Sequence, residues 1–113
     1  MIVTIFHNPR CSKSRKTLAI LEGKGIKPNI IEYLIQPVSF SEIKKILSMM
    51  GKAPHEIIRV KDAKDENIDI DSLSGNDLIK AIIKYPRILE RPIVVVGEKA
   101  VLCRPPENVL KIL

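Results

Sequence analysis

The sequence predicts an α/β fold built on a mixed four-stranded sheet. Two observations carry this prediction. Runs of β-branched apolar residues open the chain and return after residue 92, where buried strands are expected. Between these two regions lie segments whose apolar residues recur at helical spacing. The chain has 113 residues, a length that suits one domain, so we expect a single domain spanning residues 1–113.

The first third of the chain predicts a strand, a helix and a second strand. Met1–Phe6 is a β-branched apolar run typical of a buried strand, and the turn residues that follow end it. A helix is predicted from Ser12 to about Gly23, where apolar side chains recur at helical spacing. Asn29–Tyr33 predicts a second strand, which would lie parallel to the first because a helix connects the two.

The middle of the chain predicts helices rather than strands. The predicted segments are a helix capped by Ser39 or Ser41 and ended by Gly51, a short helical turn over Pro54–Arg59, and a helix that begins at Ser74 and ends at Pro86. Residues 60–72 form a polar stretch rich in Asp, which predicts a surface loop within the same domain.

The end of the chain predicts a β-hairpin and a closing helix. Pro92–Val96 and Lys99–Cys103 are the predicted strands of the hairpin. Two consecutive prolines then predict the start of a final helix that ends at Leu113. A βαβ unit, a helical insertion and a ββα unit, in that order, match a thioredoxin-like sandwich whose first strand pair is parallel and whose last pair is antiparallel.

The net charge of +6 lies wholly in the first 60 residues, which hold ten Lys and Arg against four Glu. Its densest cluster surrounds Cys11, where Arg10, Lys13, Arg15 and Lys16 crowd together. Aromatic residues make up only 4% of the chain and Trp is absent, so the stacking platforms of single-strand-binding proteins are missing. The focused charge predicts a small pocket for an anion and no nucleic-acid partner.

Composition argues against several other classes. The apolar runs are too short for a transmembrane helix and no basic segment precedes the first strand, so we expect neither a membrane partner nor a secretory signal. Two cysteines are too few for a disulfide framework, which favours the cytoplasm. The two His and two Cys residues lack metal-ligand spacing, so we expect no metal, and the size favours a monomer.

Cys11 falls at the junction of the first predicted strand and the first predicted helix. A helix N-terminus presents unpaired backbone N–H groups and the positive end of the helix dipole, and both favour a thiolate over a thiol. The neighbouring cations, Arg15 among them, act in the same direction. Cys11 is therefore the candidate nucleophile, and the alternative interpretation is an inert structural cysteine.

The residues near the two cysteines bear on their redox class. A dithiol oxidoreductase has a second cysteine three residues after the first, where this chain has Ser14, so no local disulfide can form. The Ser14 hydroxyl either donates a hydrogen bond to the thiolate or merely occupies the first helical turn. Cys103 directly precedes Arg104 at a strand end, so if Arg104 faces the site we expect Cys103 to point into the core.

Arginine is the rarer cation of this chain, with six arginines against thirteen lysines. Three of the six, Arg59, Arg91 and Arg104, stand at the ends of predicted elements. A guanidinium offers an oxyanion a planar, permanently charged fork that lysine cannot reproduce. These three arginines are the candidate anion ligands, and a solvated surface arginine is the alternative for each.

Four segments, in chain order, resemble the glutaredoxin-coupled arsenate reductase family. They are His7-Asn8-Pro9-Arg10-Cys11-Ser12-Lys13-Ser14-Arg15, Arg59, Glu90-Arg91-Pro92-Ile93-Val94-Val95 and Leu102-Cys103-Arg104-Pro105-Pro106-Glu107. The resemblance spans nearly the whole chain, and the motifs are closer to a shorter chromosomal branch of the family that lacks a C-terminal tail. It implies the thioredoxin-like fold with a helical insertion.

The resemblance also implies the chemistry. Cys11 would attack arsenate, and Arg59, Arg91 and Arg104 would hold the oxyanion. Glutathione and then glutaredoxin would reduce the adduct and release arsenite, with glutathione acting as an external reductant and no cofactor bound. His7 matches a family histidine near the cysteine and would support it electrostatically, with simple packing in the turn as the alternative.

Thioredoxin-like folds resemble one another in having a cis-proline just before the third strand, and Pro92 occupies that position in this sequence. We therefore expect a cis Arg91–Pro92 bond, in contrast to the trans isomer that most X–Pro bonds adopt.

Two other functions compete with arsenate reduction. A redox-responsive transcription regulator of the Spx type binds RNA polymerase, but it uses a Cys-x-x-Cys switch and lacks the Arg-Pro-Pro sequence found here. A general thiol-disulfide oxidoreductase needs a glutathione groove rather than three arginines around the cysteine.

Overall fold

A computed structural model describes residues 2–113 and divides them into two compact units. The first unit contains the residues up to Gln36 together with Arg91–Leu113, and the second contains Pro37–Glu90. The first unit therefore holds the predicted βαβ and ββα segments, and the second holds the helical insertion. The single domain expected over residues 1–113 stays a prediction.

The first unit is built on a four-stranded mixed sheet. Its strands are β1 (Val3–Phe6), β2 (Asn29–Ile31), β3 (Ile93–Val96) and β4 (Lys99–Leu102), in the spatial order β2-β1-β3-β4. β1 pairs in parallel with β2, and β3 pairs antiparallel with both β1 and β4. This arrangement confirms the predicted mixed sheet and the predicted direction of both strand pairs.

The observed bounds of the first two strands differ from the predicted ones. The first strand was expected to begin at Met1, which lies outside the described residues. β2 ends at Ile31, two residues early, because the Glu32 carbonyl accepts hydrogen bonds from the backbone N–H groups of Ile35 and Gln36 and turns the chain. The tight turn competes with the strand for the same backbone groups, and the β-branched pattern does not reveal it.

One face of the sheet packs against α1 (Ser12–Gly23) and the C-terminal segment. Alternate strand residues supply this face, because successive side chains of a strand point in opposite directions. The fully packed cluster consists of Val3, Ile5, Leu21, Val94, Val96, Cys103 and Val109. The closing segment Pro106–Lys111 is a 3₁₀ helix, so the predicted final helix exists with a tighter winding and a shorter span.

The second unit contains two helices whose ends follow the predicted signals. α2 (Phe40–Met50) begins after Ser39, whose side chain accepts a hydrogen bond from the N–H of Glu42, and it ends at the left-handed Gly51. Ser39 rather than Ser41 is therefore the cap. The last helix of this unit, Gly75–Lys84, begins in the same way after Ser74, as predicted.

The prediction of a surface loop over residues 60–72 is wrong for its first half. Val60–Asp65 is a helix, α3, so the helix over Gly75–Lys84 is α4. The N–H of Ala63, which is buried, donates to the carbonyl of Arg59 and closes the first turn of α3. Tertiary burial and ion pairs to Arg87 stabilise a segment whose polar composition alone favours a loop. Short 3₁₀ helices at Pro54–Ile57, as predicted, and at Pro86–Ile88 complete the unit.

No helix within residues 2–113 is both long enough and apolar enough to cross a membrane.

Candidate active site

Cys11 stands at the N-terminus of α1, as the sequence predicted. Its backbone is extended, with φ −89° and ψ 123°, so it is the last residue before the helix begins. Its N–H donates to the carbonyl of Asn8 at 3.0 Å, and its own carbonyl accepts the N–H of Arg15 at 3.0 Å. These bonds fix the short segment between β1 and α1 and leave Cys11 partly exposed.

The surroundings of Cys11 favour its thiolate. Burial raises the pKa of the Cys11 thiol, but the backbone N–H groups of Ser14 and Lys13 and the Arg91 guanidinium outweigh it, so the pKa lies below the ordinary value. No conventional side-chain cap covers the first turn of α1, and the sulfur occupies that place. The first turn also lacks acidic residues that would repel a thiolate. These surroundings favour the reactive thiolate form, and the role of Cys11 as the nucleophile stays a prediction.

Ser14 and His7 form a buried polar pair behind the cysteine. The Nδ1 atom of His7 lies 2.6 Å from the Oγ atom of Ser14, and the same Oγ accepts the N–H of Asn8 at 3.0 Å. Ser14 is fully buried and His7 is 5% exposed. The Ser14 hydroxyl therefore ties the end of β1 to the first turn of α1. It is the Ser14 backbone N–H, rather than the predicted hydroxyl, that lowers the pKa of Cys11.

His7 is hydrogen-bonded behind the cysteine, and its surroundings disfavour the charged imidazolium. Burial is the main cause that lowers the pKa of His7. The charge of Glu32 raises this pKa and the charge of Arg15 lowers it further, so the pKa lies below its ordinary value. A lowered pKa favours the neutral imidazole near pH 7. The electrostatic support expected of His7 would need the charged form. Its contact with Ser14 matches the alternative of packing within the turn, and a supporting role for His7 stays a prediction.

Arg15 and Arg10 have different roles in the loop before α1. Arg15 donates from NH1 to the carbonyl of Pro9 at 3.1 Å, which holds the loop against the helix. The backbone N–H of Arg10 donates to the Oδ1 atom of Asn8 at 3.0 Å, and both the Arg10 and Arg15 side chains are exposed. The cations of this segment therefore form an open electropositive rim beside the cysteine.

Arg91 and Arg104 meet next to this loop. Arg91 lies within hydrogen-bonding reach of the Cys11 sulfur, and the NH1 group of Arg104 donates to the Arg91 carbonyl at 3.0 Å. The Arg91–Pro92 bond is cis, which confirms the prediction, and the Arg104–Pro105 bond is also cis, which the sequence did not predict. Arg91 thus contacts Cys11 through its side chain and Arg104 through its carbonyl.

Cys103 points into the core, as predicted. It is fully buried, and its Sγ atom donates a long hydrogen bond of 3.8 Å to the carbonyl of Val101. Burial raises the pKa of the Cys103 thiol to about 12, although a hydrogen bond with Thr17 acts in the opposite direction. Cys103 therefore stays protonated and inaccessible, and both cysteines are free thiols.

Arg59 belongs to the second unit, where it directly precedes α3. Its Nε atom lies 2.7 Å from Oδ2 of Asp62, and its NH1 atom lies 3.9 Å from Oε1 of Glu90. The sequence analysis missed both carboxylates. Residues three apart can form an ion pair on a helix, so the spacing of Arg59 and Asp62 could have indicated their contact. It does so only if a helix is known to begin at Val60.

Within residues 2–113, no group of three or more His, Cys, Asp or Glu side chains is arranged to hold a metal ion. Cys11, whose surroundings favour the thiolate, lies beside the Arg91 guanidinium. This pairing suits nucleophilic attack on a small, negatively charged electrophile.

Comparison with known proteins identifies the family. The ArsC family model matches residues 6–112. This chain belongs to the ArsC family. It is 46% identical to an arsenate reductase of Haemophilus influenzae over 100% of both chains. It is 43% identical to an arsenate reductase of Neisseria meningitidis serogroup A, covering 98% of this chain and 97% of the relative.

The fold is shared with a solved structure of the same family. An arsenate reductase from Vibrio cholerae superimposes with a TM-score of 0.93, at 43% identity, over 100% of this chain and 98% of that chain. The predicted thioredoxin-like sheet with a helical insertion is confirmed. The resemblance drawn from the sequence motifs is confirmed as well.

Proposed function

We propose that this protein reduces arsenate to arsenite, with Cys11 as the nucleophile and an external thiol as the electron donor. The observation that carries the proposal is the Cys11 thiol, whose pKa is lowered at a helix N-terminus beside Arg91. Membership of the ArsC family and the names of its relatives supply the substrate. In this reaction the Cys11 sulfur would attack the electrophilic arsenic atom of the arsenate oxyanion.

Arsenate binding would rest on the three arginines. The Arg91 guanidinium adjoins the sulfur and stabilises negative charge there, and Arg104 donates a hydrogen bond to the Arg91 main-chain carbonyl, which supports a place for it beside Arg91. The family resemblance adds Arg59 as the third ligand of the oxyanion, and this arginine is a partly buried cation that directly precedes α3. Preorganised guanidiniums stabilise the charge of the oxyanion and the charge that develops when the sulfur attacks.

In the first step the Cys11 thiolate attacks arsenic. A sulfur–arsenic bond forms, and one hydroxyl group of arsenate leaves as water after it takes up a proton. Arsenic remains in the +5 state in this adduct. Arg91 balances the charge on the sulfur before the attack and on the arsenate oxygens after it.

In the second step an external thiol supplies the electrons. A glutathione thiolate attacks the Cys11 sulfur, and the sulfur–arsenic bond breaks with its electron pair remaining on arsenic, which becomes arsenite. Glutaredoxin then reduces the resulting Cys11–glutathione disulfide and regenerates the thiolate. Cys103 is unsuited to this task because it is fully buried and its pKa is raised to about 12.

The second step also bears on location and assembly. A glutathione-dependent cycle requires a reducing compartment, so we place the reaction in the cytoplasm. We propose that the protein acts as a monomer, because the size of a 113-residue chain favours one.

The test is an arsenate reduction assay with glutathione and glutaredoxin, in which arsenite formation is measured for the wild type and for Cys11→Ser. Wild-type turnover together with a loss of at least about a thousandfold in Cys11→Ser supports the proposal, because serine cannot form the thiolate. Phosphate should inhibit the reaction without being reduced, since it has the shape of arsenate. Undiminished turnover in Cys11→Ser would refute the role of Cys11.

A second assay on the same samples separates the competing redox function. Reduction of a glutathione mixed disulfide that is faster than arsenate reduction would identify a general thiol-disulfide oxidoreductase and contradict the proposal.

A further inference from the structure

Arg59 is held by two carboxylates of its own unit. Asp62 lies 2.7 Å from Nε of the guanidinium and Glu90 lies 3.9 Å from NH1. The side chains of Arg59, Asp62 and Glu90 are 28%, 17% and 24% exposed, so the cluster is largely shielded from solvent. Shielding strengthens such pairs relative to fully exposed ion pairs, which contribute little.

The backbone beneath this cluster is also fixed. Ile58 and Leu89 form an isolated antiparallel β-bridge, and they directly precede Arg59 and Glu90 in the chain. The N–H of Arg59 donates to the carbonyl of Ile88 at 2.7 Å, and the N–H of Glu90 donates to the carbonyl of Ile57 at 2.8 Å. The four apolar residues of the bridge are buried, so Arg59 and Glu90 project from a rigid frame.

We propose that Asp62 is a positioning residue for arsenate binding, with Glu90 as its weaker partner, and that it holds the Arg59 guanidinium in the orientation that meets the oxyanion. This inference rests on the proposed function. A free arginine side chain loses much rotational freedom when it binds an anion, and a neighbouring carboxylate removes that cost in advance. Arginine has five N–H donors, so the pair with Asp62 does not exhaust its capacity for an oxyanion.

A purely structural role for Asp62 makes a different prediction. Asp62 lies in the first turn of α3, where a carboxylate stabilises a helix through its dipole. If this were its whole contribution, its removal would lower the melting temperature and leave the affinity for arsenate unchanged. The experiment must therefore separate affinity from stability.

The chain offers a matched control in Glu66, which caps the C-terminal end of α3. Its Oε1 atom lies 2.8 Å from Nε of Arg87, an ion pair of the same geometry that does not involve Arg59. Glu66→Gln therefore removes a carboxylate–arginine pair from the same helix and leaves Arg59 intact.

The experiment compares Asp62→Asn, Asp62→Glu and Glu66→Gln with the wild type. For Asp62→Asn we expect KM for arsenate to rise about three- to tenfold with kcat changed less than about twofold, because substrate binding is weakened and the Cys11 chemistry is not. Asp62→Glu should recover part of the loss, since it restores the charge. Glu66→Gln should keep the wild-type KM, and melting temperatures are measured for all four proteins.

Three results would overturn the inference. The first is an unchanged KM in Asp62→Asn while the wild type turns over. The second is an equal rise of KM in Asp62→Asn and Glu66→Gln, which would indicate a general effect of α3 stability. The third is an undiminished effect of Asp62→Asn when Arg59 is already replaced by Ala, because a positioning residue acts only through the residue that it positions.

A binding measurement separates this inference from the proposed function. Arsenate that occupies the site should protect Cys11 from alkylation even without turnover. If the wild type is protected but not active, the proposed reaction fails, and a higher protecting concentration for Asp62→Asn still supports the positioning role. Equal protection of both proteins, or no protection of the wild type at any arsenate concentration, would overturn it.

Discussion

Cys11 and Cys103 carry the same functional group in opposite environments within one structural unit. Cys11 caps a helix at a partly exposed position, and three sources of positive potential lower its pKa. Cys103 lies in the core beside Thr17 and the Val101 carbonyl, and burial raises its pKa to about 12. Burial raises the pKa at both positions, but only at Cys11 do N–H groups and a guanidinium outweigh it.

The difference teaches that reactivity here is a property of position rather than of residue type. A thiolate needs donors aimed at the sulfur, and a strand-to-helix junction supplies them from the backbone. A strand end facing the core supplies apolar contacts, a weak acceptor in the Val101 carbonyl and a hydrogen bond with Thr17 that does not outweigh burial. Three predictions test this contrast, beginning with the largest expected effect.

The first prediction concerns selective alkylation of the native protein. Iodoacetamide should modify Cys11 at least about a hundredfold faster than Cys103, because only Cys11 is partly exposed and has a lowered pKa. Mass spectrometry of peptides after brief exposure measures both rates. Comparable modification of the two cysteines in the folded protein would remove the basis of the contrast, and equal rates in denaturant serve as the control.

The second prediction concerns stability. Cys103→Ala should lower the free energy of unfolding by about 1–2 kcal/mol through lost packing, with arsenate turnover retained. In the unfolded chain this thiol ionises near its ordinary pKa of 9.0, whereas the folded protein keeps the proton until about 12. Unfolding therefore releases a proton between these values, and rising pH favours the unfolded state.

The stability advantage of the wild type over Cys103→Ala should accordingly shrink as the pH rises above about 9. Denaturant titrations of both proteins across this range, as far as both remain folded, measure the difference. An advantage that stays constant or grows with pH would show that Cys103 is not protected from ionisation by the core.

The third prediction has the smallest effect. Arg91→Gln should raise the pKa of Cys11, because the guanidinium donates to the sulfur and stabilises its charge. The midpoint of the pH profile for Cys11 alkylation should move to higher pH, while the profile stays below that of an ordinary thiol. Ser14 and Lys13 still contribute their N–H groups in this variant. An unmoved midpoint would leave the helix N-terminus as the sole cause, and Lys16→Gln serves as the control for loss of one nearby charge.

Much of the site could be predicted because its signals are local. The position of Cys11 between a β-branched run and a helical pattern predicted its place at a helix N-terminus, and alternation along a strand predicted that Cys103 points into the core. The cap at Ser74 and the stop at Gly51 are also encoded by single residues. Such signals depend on backbone groups within a few residues, which a sequence displays directly.

Other features were missed because their causes lie far away in the chain. The polar composition of residues 60–72 predicted a loop, but α3 forms there since Ala63 is buried and Arg87 pairs with Asp65 and Glu66. The sequence predicts that the Ser14 hydroxyl either bonds the thiolate or merely occupies the first helical turn, whereas it forms hydrogen bonds with His7 and with the N–H of Asn8. Sequence spacing gave no warning that these buried polar groups satisfy one another.

The sequence by itself determined the four strands, most of the helices, the candidate nucleophile Cys11 and the scarcity of arginine that marks Arg59, Arg91 and Arg104. Only the tertiary structure decided which donors face the Cys11 sulfur, which carboxylates hold Arg59 and which thiol is sealed in the core. The physical reason is range. Helix ends and strand alternation are set by neighbouring residues, whereas burial, ion pairs and pKa values depend on groups that meet only when distant segments pack.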